Sequence, residues 1–127
     1  MIDKPKVMRI DPQSGMSPWE PMQLIGELTE GMQPKERFHR VYETTISSPC
    51  DIRAGTWEAK AYSERVEDYP YNEIVFVVEG SISIVDENGN DELFNLGDCF
   101  FLQRGFNGYW NQHETLKIFH MTVAPIE

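Results

Sequence analysis

Glu73 is the residue around which any chemistry of this sequence has to be built. It lies within Tyr71–Val78, a run nearly continuous in apolar, β-favouring side chains, as expected for a strand covered on both faces. Burial raises a carboxyl's affinity for a proton and a nearby cation lowers it. A carboxyl balanced between these effects is suited to moving protons. Lys117 is the matching anomaly, a lysine read as inward on a strand otherwise made of Leu116, Ile118 and Phe119, where it needs a partner or a purpose. Strand parity puts Tyr71 on the same face as Glu73. No nucleophile elbow, phosphate-cradling loop, Cys-His pair or dinucleotide fingerprint offers a competing chemistry.

Short strands separated by turns must position these side chains. Phe38–Ile46 reads as a strand ending at the turn cluster Ser47–Pro49. In Gly55–Ser63, Trp57, Ala59 and Ala61 alternate with Glu58, Lys60 and Tyr62, and the first set is expected to point inward. Gly80 breaks the Tyr71–Val78 run, and Ser81–Asp86 alternates again. Asn88-Gly89 falls where a two-residue hairpin turn needs positive φ, with Asp91–Asn95 as the returning strand. Cys99–Gln103, Tyr109–Asn111 and Leu116–Val123 complete the set, with a glycine-bounded corner at Gly105–Gly108. Roughly eight short strands and almost no amphipathic helix predict an all-β fold, a closed antiparallel barrel or a double-sheet jelly roll, in which closure removes exposed edges.

Residues 1–36 read as an N-terminal arm and 37–127 as the β domain. The arm holds five of the eight prolines, together with Met8, Met16, Met22 and Met32. Leu24, Ile25 and Leu28 would give one apolar face of a helical turn, confined to a short piece by Gly26, Gly31 and Pro34. The arm is too apolar at Trp19, Met22, Leu24 and Ile25 to float freely. Laying it along a neighbouring copy predicts a homodimer, and packing on its own barrel is the alternative.

The 127 residues suit a single core. With 21 acidic against 11 basic side chains, the net charge of −10 repels phosphate backbones and anionic lipid, so neither nucleic acid nor membrane is an expected partner. Met1–Gln23 has no apolar core for a secretory signal or a membrane span, and a cytoplasmic location is the expectation. Cys50 and Cys99 are expected to be structural thiols, with Cys99 a small buried hydrophobe beside Phe100 and Phe101.

From Gly55 to His120, about half the chain, the sequence resembles the cupin superfamily, and within it the small cupins related to ureidoglycine aminohydrolase and the ethanolamine-utilisation cupin. The likeness is carried by Gly-x-Trp-Glu at Gly55–Glu58, the Glu73-x6-Gly80 spacing, Gly97-Asp98, the Gly105 corner followed by Trp110, and Lys117. Departures are equally clear. The histidine positions of the first cupin motif fall on Val66 and Asp68 or on Glu67 and Tyr69, Gln103 replaces a proline, and Gly108 stands at the last histidine. Only Glu73 of the four usual ligands survives. Without imidazoles no tightly bound transition metal is expected, although oxygen ligands such as Glu67 or Asp68 would bind Mg or Mn weakly. His120, a single histidine on a terminal strand, reads as structural or surface-lying.

The resemblance implies a barrel in which Tyr71 and Glu73 point inward, Trp57 and Trp110 meet them from other strands, and Tyr69 and Lys117 stand near the rim. The expected site is thus Glu73, Lys117 and Tyr71 for chemistry, with Trp57, Tyr69, Trp110 and Gln103 binding a small-molecule ligand. By the same resemblance the protein is a small-molecule enzyme performing acid–base chemistry on a nitrogen-containing or carboxylic acid metabolite. The alternatives are a non-catalytic sensor or carrier using the same pocket, and a structural homodimer whose pocket is merely filled by Trp57 and Trp110.

Overall fold

The computed structural model describes residues 4–44 and 49–125. Among them lie eleven strands and no helix: β1 (Glu20–Pro21), β2 (Glu27–Glu30), β3 (Lys35–Glu43), β4 (Cys50–Ala59), β5 (Tyr62–Val66), β6 (Asn72–Glu79), β7 (Ile82–Asp86), β8 (Asp91–Phe94), β9 (Cys99–Leu102), β10 (Gly108–Gln112) and β11 (Leu116–Pro125). Every described pairing is antiparallel. One sheet has the order β1-β3-β4-β11-β6-β9 and the other β2-β5-β10-β7-β8. No helix among the described residues is long and apolar enough to cross a membrane.

The fold is the double-sheet jelly roll rather than a fully closed barrel, because each sheet keeps two edges. Those edges are blunted by brevity: β1 has two residues, and β2, β8 and β9 have four each. Between the sheets lies one core that includes Val75, Val77, Ile82, Leu102, Trp110, Leu116 and Ile118. The alternation seen in the sequence creates this core by sending every second side chain inward.

Several expectations need correction. Residues 24–28 form no helical turn; Gly26 lies against β5, where a Cβ would come within 1.8 Å of the Arg65 carbonyl oxygen, and β2 begins at Glu27. The strand expected to run through Gly55–Ser63 is two strands in different sheets, broken at Lys60–Ala61. Parity restarts after the break, so Tyr62 is buried and Ala61 exposed. The hairpin lies where Asn88-Gly89 predicts it, but its turn differs. Gly89 alone has positive φ, at 85°, and donates its N–H to the Asp86 carbonyl while Asp86 N–H donates to Asn90, the pattern of a longer bulged loop. Cys99 is exposed, since parity in β9 sends Leu102 to the core and turns Cys99 and Phe101 away from it. The expected end of the first long strand, at 45–48, lies outside the described residues.

Candidate functional site

A cavity of about 350 Å³ opens between the sheets. Glu73 lies in its wall on β6, 5% exposed. Both carboxylate oxygens are occupied: the Tyr69 hydroxyl donates to Oε1 at 2.5 Å, and His120 Nδ1 lies 2.6 Å from Oε2. Burial, reinforced by the Glu73 charge and its hydrogen bond, pushes the Tyr69 phenol well above its ordinary value. Tyr69 therefore remains a donor through the neutral range.

Local structure fixes each member of this trio. Tyr69 follows Asp68, the one described non-glycine residue with positive φ, at 52°. Its backbone is clamped to the glycine corner, donating to Phe106 O at 3.0 Å and accepting from Gly105 N at 2.8 Å, while Asp68 N donates to Asn107 Oδ1. Glu73 and His120 come from neighbouring strands, where Thr122 pairs with Glu73 and His120 with Val75.

Aromatic groups build the walls. Trp57 and Trp110 meet edge to face at 6.2 Å, and Tyr69 and Tyr71 do the same at 5.8 Å. Both indole N–H groups are satisfied, Trp57 by Glu36 Oε1 at 2.8 Å and Trp110 by Gln112 Oε1 at 3.1 Å. Both indoles line the open cavity, so they do not fill it.

The structure brings together five of the seven residues expected at the site: Glu73, Tyr71, Trp57, Tyr69 and Trp110. It separates the other two. Lys117 is buried on the opposite face of β11, where Nζ donates to Pro12 O at 3.0 Å and lies 3.7 Å from Glu79 Oε1. Ile118 takes the inward position. Gln103 is exposed beyond the end of β9, because Leu102 takes the inward place before it. Glu67 and Asp68 are also exposed and do not line the cavity.

His120, read from the sequence as structural or surface-lying, lines the cavity beside Glu73, a contact that spacing along one strand does not reveal. Glu64 is 4% exposed on β5 and lines the cavity. Burial raises its proton affinity, opposed by hydrogen bonds from the Gly26 and Ile25 N–H groups. Gln23, Glu36, Arg40, Arg53, Tyr62 and Thr122 complete the polar lining. The donor set does not fit a transition metal: Glu73 and His120 engage each other, and among the described residues no third His, Cys, Asp or Glu joins them in a metal-sized group.

The EutQ-like cupin domain profile matches residues 50–118, more than half of the chain. A DUF861 family protein of unknown function from Pseudomonas syringae pv. tomato superposes with a TM-score of 0.75 at 22% identity, over 89% of this chain and 46% of that one. This chain thus spans about half of that protein's length. The EutQ protein of Clostridium difficile gives 0.58 at 20% identity, over 72% and 69%. An ectoine synthase from P. lautus gives 0.57 at 15% identity, over 84% and 70%. No curated protein matches the sequence.

Proposed function

Since the chain belongs to the EutQ-like cupin domain family, we propose that its pocket is an active site for acid–base chemistry on a small polar metabolite. One observation carries this reading: a buried carboxylate held between a tyrosine hydroxyl and an imidazole in the wall of an open aromatic cavity. With Nδ1–H donating to Glu73, His120 Nε2 is the free basic nitrogen of the pair. His120 takes a proton from the substrate or from a water. Glu73 orients the ring and stabilises the imidazolium, and Tyr69 holds the carboxylate in place. The residues supply this relay without a metal. That an enzyme, ectoine synthase, shares the fold supports the reading by analogy.

The experiment is a screen of small acids and amines for product by mass spectrometry, followed by the Glu73→Gln variant. Turnover is expected to fall about a hundred- to ten-thousand-fold with the fold intact. Full activity in that variant rejects the reading. Ligand-dependent stabilisation with no product from any substrate would favour a sensor or carrier.

The proposal extends to a reducing, cytoplasmic setting, which suits two cysteines that form no disulfide, and to a homodimer. The arm lies on its own sheet, where Ser17 N–H donates to Phe38 O and Phe38 N–H donates to Ser17 Oγ. A different surface supports pairing. Cross-strand register lines up Tyr42, Ala54, Met121, Ile74 and Phe101 across five strands on the outer face, and Tyr42, Met121 and Phe101 are exposed. Such an uncharged strip suits self-association of a chain carrying a net charge of −10. Light scattering is expected to report a dimer that Met121→Glu converts to monomer; a monomeric wild type rejects this part.

A further inference from the structure

The acid–base reading leaves two cavity-lining arginines unused. Strand register places them in rows with the reactive pair. Arg40 pairs with Gly55, and Gly55 with His120. One row along, Arg53 pairs with Thr122, and Thr122 with Glu73. Arg40, Arg53, Thr122, His120 and Glu73 all line the same cavity. Gly55 cannot carry a side chain, because a Cβ there would come within 2.0 Å of the His39 carbonyl oxygen. On that row no side chain separates Arg40 from His120.

Both guanidiniums have donors to spare. Arg40 Nη1 contacts Glu43 at 2.8 Å and Arg53 Nε contacts Asp51 at 3.4 Å, each from outside the cavity and each through one nitrogen. A guanidinium has five N–H donors in a planar fork that fits a carboxylate. The acids inside the cavity have other partners: Glu73 has Tyr69 and His120, Glu36 has the Trp57 indole, and Glu64 has Gly26 N–H.

We infer that Arg40 and Arg53 form a carboxylate clamp, so that the pocket takes a small organic acid. Its carboxylate docks on the guanidiniums and its next carbons reach the Glu73 and His120 pair. Arg53 lies two strand spacings from Glu73, and Arg40 two from His120, about 10 Å between backbones in each case, which suits a short-chain acid. A cavity of about 350 Å³ is at the small end for a ligand site. In a protein of net charge −10, local guanidiniums are also what admits an anion. The inference rests on the proposed function for the chemistry but not for the binding.

The test is calorimetric titration of the full chain with propionate, pyruvate, lactate and succinate, and with the amide of each. At least one acid is expected to bind saturably and at least tenfold tighter than its amide. Arg53→Met and Arg40→Met should each weaken that acid about tenfold or more, and Arg→Lys at either position should restore part of the loss; the lysine variants also keep the test decisive where a methionine variant fails to fold. Glu73→Gln should bind the acid within a few-fold of wild type. Binding of acid and amide alike, no acid binding, or unchanged affinity in the arginine variants overturns the clamp. Intact acid binding with unimpaired turnover in Glu73→Gln would instead remove the catalytic reading and leave the clamp standing.

Discussion

Along β11, Ile118, His120 and Thr122 face the cavity, whereas Lys117 and Met121 face the other way. The two faces use similar residue types for different ends. Inside, Glu73 is gripped by a phenol and an imidazole and stands beside open space. Outside, Glu58 is gripped by the Arg37 guanidinium at 2.8 Å, Lys117 ties down the arm at Pro12, and Trp19 stacks under Arg37 and Lys60. Carboxylate, cation and indole occur on both faces. Only the inner set borders a volume that can hold a ligand, so proximity to empty space, rather than residue type, separates a candidate site from a structural clip.

The largest effect that would break this contrast is in turnover. Lys117→Met is expected to leave activity within a few-fold of wild type, against the loss expected for Glu73→Gln, while lowering stability by about 1–2 kcal/mol in chemical denaturation as the Pro12 contact disappears. A collapse of kcat in the Lys117 variant with its stability intact would return the lysine to the chemistry.

A second contrast is set by pH. Folding raises the proton affinity of Glu64, so its contribution to stability is complete below its ordinary value of 4.5 and is lost as pH rises through the higher folded value. Wild type should therefore lose melting temperature relative to Glu64→Gln as pH rises above 4.5, with the gap levelling off once Glu64 is ionised. Parallel pH profiles for the two proteins would mean that Glu64 is not penalised by burial.

The smallest effect is on the outer face. Thr56 is 1% exposed and its hydroxyl has no hydrogen-bond partner among the described residues. Thr56→Val keeps the shape and removes an unsatisfied group, and is expected to stabilise the fold by about 1 kcal/mol in urea denaturation. Destabilisation of that size would show that the hydroxyl is satisfied after all.

How far the sequence could be read follows from the same geometry. Tyr71 and Glu73 share the cavity because two residues in an extended run share a face, and Trp57 joined them by the same rule. The rule failed at Lys117, where the start of β11, residues 116–118, is buried on both faces and a register shift falls between Lys117 and Ile118, so apolar neighbours gave no direction. It failed again at Tyr62, where the chain leaves one sheet for the other at Lys60–Ala61 and parity restarts.

By itself the sequence determined the all-β class, the strand order from Tyr71 onward and the face that Glu73 shares with Tyr71, because period-two alternation and turn residues are local properties of a chain; the gathering of the aromatic walls was what the resemblance to the cupins implied. Tertiary structure alone decided that Glu73 meets His120 and Tyr69, that Lys117 faces the arm, and that Arg40 and Arg53 open onto the cavity. Those contacts depend on which strands lie side by side and in what register, and long-range pairing of that kind leaves no trace in the spacing along one strand.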